Sequence, residues 1–254
     1  MKRAIIFCFF MNYLTGISQI QIGGETEAPI EEKKKEKEQK PEKVKQIQQA
    51  EASTEIFIGG NWSMTNRKLV ENDNVFGDTL GERAKETGIG EFAYGLGIRS
   101  KLHKFLLFEG GISYLKNGES YSFSGVDSSY SYTNNYQFIG MPLKLYFIYG
   151  EKKLRFQVGA GVIPQMALKF KQTSKYQTKA GEEVSETLKT KNGYNSFVFS
   201  FVANVGIQYK FLPSWSVYLQ PEYRLQLSSS YLKTNPYKHF GNAIGVSLGC
   251  VLTL

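Results

Sequence analysis

The chain has 254 residues, of which 41% are hydrophobic and 14% aromatic, with 25 glycines; this composition argues against a helical bundle and for an all-β chain. A formal net charge of +8 would suit a nucleic-acid binder, but the basic residues are scattered through connections and one mixed-sign tract, so no nucleic-acid partner is expected. The two histidines, His103 and His239, and the two cysteines, Cys8 and Cys250, do not form a cluster with metal-ligand spacing, and no glycine-rich phosphate loop precedes a helix.

Residues 1–18 read as a signal peptide. Lys2 and Arg3 open it, Ala4 to Leu14 are mostly apolar, and Gly16 and Ser18 precede a cut ahead of Gln19. Phe7 before Cys8 is unsuited to lipid attachment, so a lipid anchor is not expected. Removal of the signal leaves Cys250 alone, without an intramolecular disulfide. Export also removes contact with nucleic acid. Residues 19–53 read as a Lys/Glu-rich periplasmic linker or a fraying helix: the stretch 31–45 holds seven lysines and five glutamates and too little apolar surface to offset ordering entropy. Past the signal there is no apolar run of 18 residues, so no transmembrane helix is offered. A closed barrel, which crosses with strands of about ten residues, is not excluded.

Residues 54–254 form the third region, an expected outer-membrane β-barrel domain. Its pattern gives eight strands, at about 54–64, 89–100, 104–116, 134–148, 153–168, 195–210, 214–228 and 239–254. The connections near His103, Gly150 and Pro213 are short; those at 65–88, 117–133, 169–194 and 229–238 are longer and rich in Ser, Thr, Asn, Lys and Gly. Short turns at one end and long loops at the other are the asymmetry of an up-and-down transmembrane barrel. The predicted fold is therefore an eight-stranded antiparallel up-and-down transmembrane β-barrel.

Alternation then divides each strand. In 195–211, Phe197, Phe199, Phe201, Ala203, Val205, Ile207 and Tyr209 share one face, and Ser196, Ser200, Asn204, Gly206, Gln208 and Lys210 the other. Strands 5, 7 and 8 behave alike. The polar face is rich in Gly, Ser and Ala, which suits a narrow bore, whereas a soluble lipocalin-like binding barrel would carry dense Lys and Glu outside. The apolar face is expected to meet lipid. Its aromatics gather at two levels: Phe147, Tyr149, Tyr209, Phe211 and Trp215 near the short turns, and Trp62, Phe92, Tyr94, Tyr114, Phe170, Phe197 and Phe240 toward the long loops.

Four stretches, "KFLLFEGGISYLKNG", "QFIGMPLKLYF", "LRFQVGAGV" and "GVSLGCVLTL", resemble the PorT-like outer-membrane β-barrel proteins of the Bacteroidota over residues 54–254. The resemblance implies an outer-membrane location in a Gram-negative cell, insertion by the barrel assembly machinery, and a branch linked to protein secretion.

The expected lumen network is Glu91, Arg99, Glu109, Lys144, Arg155, Gln157, Gln220, Glu222 and Arg224, with Glu109 and Lys144 as cross-strand partners. Such groups are expected to plug the lumen; a narrow small-solute pore lined by them is the alternative. His239, near Ser228, Ser229 and Ser230 with Asp127 on a loop, is the one set resembling a nucleophile and base. No catalytic residue, cofactor or metal is assigned, and the chain is expected to be non-enzymatic. The tyrosine-rich stretch "SYSFSGVDSSYSYTNNY" is a candidate recognition surface. Expected partners are outer-membrane lipids and secretion or envelope proteins reached through loops 117–133 and 169–194 or the 25–53 leader. The leader and C-terminus are expected in the periplasm and the long loops outside the cell.

Overall fold

A computed structural model describes residues 53–72, 81–125, 129–150, 153–177 and 182–254. The expectations for the signal peptide, for the linker up to residue 52 and for Asp127 lie outside the described residues. The elements are β1 (Thr54–Glu71), a 3-10 turn (Gly81–Lys85), β2 (Thr87–Gly88), β3 (Gly90–His103), β4 (Leu106–Ser124), β5 (Ser129–Gly140), β6 (Leu143–Tyr149), β7 (Leu154–Gln177), β8 (Glu183–Thr190), β9 (Phe197–Lys210), β10 (Trp215–Gln226) and β11 (Tyr237–Thr253). All pairings are antiparallel, and they return to their start: β1 pairs β3, β3 pairs β4, β4 pairs β5 and then β6, both of these pair β7, and β9, β10 and β11 lead back to β1. A sheet closed in this way leaves no row of unpaired backbone groups along an edge.

The register shows the stagger directly. The partners Glu55, Arg99, Glu109, Lys144, Gly161, Val202, Arg224, Ala243 and Thr65 follow one another around the ring. One circuit returns to β1 ten residues further along. Closure with such a stagger requires tilted strands.

Among the described residues the strand count is eleven rather than eight. The expected strand 134–148 is divided at Met141 and Pro142, where proline has no N–H for the ladder, yet β5 and β6 run between the same two neighbours. β2 and β8 are short additions paired to β4 and β7. Two of the four expected loops, 117–133 and 169–194, are also largely sheet among the described residues. Residues 117–124 pair with 129–136, from Asn117↔Tyr136 to Ser124↔Ser129, and 169–190 is mostly the hairpin of β7 and β8. Their alternating Tyr, Ser and Thr have high strand propensity, and turn-like composition hid it.

Most of the expected outward faces are outward. Phe199 and Leu219 are exposed, and Ile58 and Leu248 are 62% and 61% exposed, while Ser200, Asn204, Gln208 and Gln220 are buried. Trp62, Tyr94, Phe147, Tyr209, Phe211 and Trp215 are exposed, and Phe240 is intermediate. Phe170 is the exception, buried among Tyr136 and Phe138. A β-bulge explains it: Gln137 pairs Lys169 but Phe138 pairs Ala167, so Leu168 is an extra residue and the facing of β7 reverses beyond it.

The interior is not uniformly small and polar. Leu115, Phe138, Ile163, Val198 and Val202 belong to one buried apolar cluster, and Leu107, Tyr146 and Ile148 form another. Glycines make room for the large rings: Gly249 faces Tyr218, whose ring would lie 2.6 Å from an added Cβ, and Gly59 meets the same hydroxyl still more closely. Gly60 points the other way, with its nearest atoms 3.7 and 3.8 Å from an added Cβ. Gly59→Val is therefore expected to destabilise the folded chain by about 1–3 kcal/mol through overpacking, with Gly60→Val close to neutral, read as shifts in the urea unfolding midpoint.

Candidate functional site

Closure places side chains from distant parts of the sequence in one bore, and the charged ones meet in a chain. The guanidinium of Arg99 on β3 donates from Nε to Glu109 Oε2 on β4 at 2.7 Å. Lys144 on β6 lies 3.4 Å from Glu109 Oε1 and 3.1 Å from Glu222 Oε2 on β10. Positive and negative groups thus alternate across the barrel. Arg99 is also enclosed by the rings of Phe57, Tyr146 and Tyr218, with its guanidinium carbon 4.9, 5.6 and 4.8 Å from their centroids. Nearer the short turns, Arg155 on β7 donates to Glu55 on β1 at 2.8 Å.

All nine expected lumen residues can be located. Arg99, Glu109, Lys144 and Glu222 form the connected chain, and Glu109 and Lys144 are direct cross-strand partners. Arg155 belongs to the separate pair with Glu55. Gln157 and Gln220 are buried, Gln220 accepting from Asn204 at 3.4 Å. Arg224 is buried and donates to Asn117 Oδ1 at 2.8 Å and to the Lys116 carbonyl at 3.2 Å; no carboxylate lies within 4.0 Å of it among the described residues. Glu91 stands apart at the rim, 3.8 Å from Lys116. The bore between these groups holds a cavity of only about 70 Å³.

A second cluster lies at the long-connection end, and the sequence reading missed it. Tyr136 donates its hydroxyl to Glu119 Oε1 at 2.6 Å, and Asn134 donates to the same oxygen at 3.2 Å. Arg67 forms an ion pair with Glu86 and lies 3.9 Å from Glu119. The imidazole of His239 lies between Tyr136 and Tyr231, with centroids 4.6 and 5.0 Å away. Phe170 stacks on Tyr194 at 3.7 Å. Above this floor opens a polar cup of about 340 Å³ lined by Arg83, Glu86, Tyr130, Tyr132, Asn134, Gln172, Tyr194 and Tyr231. Burial, together with nearby Tyr231 and Glu119, pushes the Tyr194 hydroxyl up to about 12, so it stays a neutral donor and acceptor at neutral pH. Arg67 and Glu119 fell in stretches read as loops, and extending the alternation of β1 and β4 would have found them. Glu55 was discoverable too, since Ile56 and Ile58 on the same strand point outward.

The His239 imidazole and the neighbouring serines are not joined by a hydrogen bond among the described residues. The imidazole is buried, and its Nε2 stands 3.7 Å from Glu119 Oε2, beyond hydrogen-bond distance. Ser228 Oγ accepts from the Phe199 N–H, Ser229 Oγ from the N–H groups of Tyr231 and His239, and Ser230 Oγ from Gln226. The serines therefore fasten the strand ends, and none bonds the ring. Among the described residues no group of three His, Cys, Asp or Glu could hold a metal ion.

No protein-family model matches the chain, and no curated protein does. Solved structures with a similar arrangement include Ail, the attachment invasion locus protein of Yersinia pestis, at 14% identity and a TM-score of 0.34 over 79% of this chain and 99% of that one. The outer membrane protein OprG from Pseudomonas aeruginosa is similar at 10% identity and a TM-score of 0.43, covering 80% and 96%. The outer membrane protease OmpT from Escherichia coli is similar at 9% identity and a TM-score of 0.43, covering 80% and 97%. At these values nothing of their activities carries over.

The charge chain makes a direct demand on stability. Lys144→Met leaves Glu109 and Glu222 facing each other's charge and is expected to cost about 3–5 kcal/mol. Lys144→Met combined with Glu222→Gln is expected to recover part of that loss, giving a non-additive double-mutant cycle in urea unfolding.

Proposed function

We propose that the chain is a non-enzymatic outer-membrane β-barrel, a closed scaffold that carries recognition hairpins outside the cell. The observation that carries this reading is the inverted polarity of the barrel: ion pairs and amides point into the bore, and bulky hydrocarbon points out. Exposed Ile58, Leu96, Ile112, Val158, Val205 and Leu248 come from six different strands, and a continuous apolar exterior of this kind needs a nonaqueous partner.

The dimensions support the same reading. If β5 and β6 count as one stave and the short β2 and β8 as additions, the ring has eight staves. A ten-residue stagger then corresponds to a tilt of about 40°. The outward residues of β9 from Phe197 to Tyr209 cover about 40 Å along the strand, and about 30 Å along the barrel axis at that tilt. A hydrocarbon layer is about 30 Å thick, and the apolar band of such barrels about 25 Å. The exposed aromatics Phe92, Trp62 and Phe197 stand toward one end of this band and Phe147, Phe211 and Trp215 toward the other, as at two membrane interfaces.

What fills the bore supports the scaffold role. The charge chain and the apolar layer of Leu115, Phe138, Ile163, Val198 and Val202 leave little room for a solute, which argues against the small-solute pore. The charged interior argues equally against a lipocalin-like binding barrel. We further propose kinship with the PorT-like proteins and an accessory role in secretion or envelope assembly, with the long hairpins outside and the short turns toward the periplasm. The tyrosine-lined cup between those hairpins supplies the recognition chemistry: aromatic faces and adaptable hydrogen-bonding groups.

Folded protein in mild detergent is expected to migrate differently on a denaturing gel before and after boiling, and to give no stepwise conductance in planar bilayers after verified insertion. Free aqueous solubility with identical migration would refute the membrane reading, and discrete conductance steps would refute the closed scaffold.

A further inference from the structure

We infer that the outward face of β4, β5, β7 and β8 just beyond the apolar band is a binding surface for the phosphate groups of an anionic glycolipid in the outer leaflet. The inference rests on the outer-membrane reading and goes beyond it, because it assigns a specific lipid chemistry to one side of the barrel.

The register locates the surface. Tyr114, Ile139, Met166 and Phe197 are successive partners across β4, β5, β7 and β9, and they form a row at the upper limit of the apolar exterior. Directly partnered residues project from the same face of a sheet, as do residues two apart on a strand. One step up, Lys116 partners Gln137, and Gln137 partners Lys169. A second step up, Asn135 partners Lys171, and Lys171 partners Lys189. The β-bulge at Leu168 matters here, because it lets Lys169 and Lys171 share the outward face with Gln137 and Asn135 while Phe170 turns inward. Four lysines and two amides thus stand together directly above a greasy row.

The charges need a counterion. Lys171 and Lys189 are directly opposite each other, where like charges are destabilising. Among the described residues, none of Lys169, Lys171 and Lys189 has a carboxylate within 4.0 Å. Lys116 has Glu91 at 3.8 Å, and Lys175, further up the hairpin, is paired with Glu183 at 3.3 Å. The uncompensated set therefore lies at the base of the hairpin, at the level where lipid head groups meet the band. A free anion would satisfy the charge but would have no use for the adjoining row of Tyr114, Ile139, Met166 and Phe197. A phosphorylated lipid uses both, with phosphates on the lysines and acyl chains on the apolar wall.

The test uses the full-length folded chain in detergent micelles, titrated with bisphosphorylated lipid A or with the same lipid after removal of its phosphates. Each lysine near a lipid surface changes affinity by about fivefold, so Lys169→Gln/Lys171→Gln/Lys189→Gln is expected to weaken binding by about 100-fold. Removing the phosphates is expected to weaken binding to the unsubstituted chain to a similar degree. Lys169→Arg/Lys171→Arg/Lys189→Arg is expected to retain affinity, and Lys101→Gln/Lys104→Gln, at the other end of the barrel, to stay within about twofold. Equal affinity for both lipids, equal affinity of the Gln variant, or full competition by millimolar inorganic phosphate would overturn the inference. A chain that remains heat-modifiable but ignores the phosphates defeats this inference alone, whereas a chain that lacks heat-modifiable migration defeats the outer-membrane reading beneath it.

Discussion

Closure of the backbone ladder is the constraint on which the rest of the structure depends. A strand next to hydrocarbon has no water to receive its N–H and C=O groups, so each must find a neighbouring strand. The ring from β1 through β11 and back provides that partner on both sides. Once the ring is closed, little freedom remains for the side chains: the period of two sends alternate residues to the bore and to the exterior, and the ten-residue stagger decides which inward residues share a level. Glu109 and Lys144 are far apart in sequence but adjacent in the barrel because β4 and β6 are neighbouring strands in a fixed register.

The bore is narrow, so its contents must be complementary in both shape and charge. A buried ion is costly unless its partner is close and its remaining hydrogen-bonding capacity is used. Arg99 meets the first part of that condition with one carboxylate and three aromatic faces, while its Nη1 has no hydrogen-bond partner among the described residues. Glu109 meets it with two cations, and Lys144 with two carboxylates. Glu109 and Lys144, in the middle of the chain, are thus each held by two oppositely charged neighbours. Tyr218 can extend over the barrel interior only because Gly59 and Gly249 have no side chain where its ring lies. The glycines of the polar face therefore serve packing as much as backbone freedom.

The alternation made much of this arrangement readable before any coordinates. The facing of Phe199 against Ser200, or of Leu219 against Gln220, follows from strand parity alone, and the cross-strand meeting of Glu109 with Lys144 follows from parity together with a count of residues up each strand from the short-turn end. What escaped was whatever parity cannot carry. Leu168 looks like any other residue of an alternating strand, yet as a bulge it reverses everything beyond it, so Phe170 was expected outside and lies inside. The Ser, Tyr and Asn of residues 117–135 have the composition of a loop, and only their mutual pairing makes them strand. Missing that extension of β4 and the extension of β1 beyond residue 64 hid Glu119 and Arg67, and with them the setting of His239. The apolar layer of Phe138, Val198 and Val202 was also hidden, because Val198 and Val202 stand among polar neighbours on the inward face of β9 and read as interruptions rather than as a plug.

The extended hairpins follow the same rule that governs the barrel, and this explains how one segment can meet two environments. On β7 beyond the bulge, Phe170 and Gln172 face the cup while Lys169 and Lys171 face outward. On β5, Tyr132, Asn134 and Tyr136 face inward while Asn135 and Gln137 accompany the lysines. A substitution on one parity is therefore separated from the other face by the thickness of a single sheet. Substituting the cup tyrosines leaves the outward lysines in place. The converse holds for the lysines, whose side chains leave the cup wall untouched. Leu168 couples the two systems, because removing or relocating the extra residue would alter the local geometry of both faces at once.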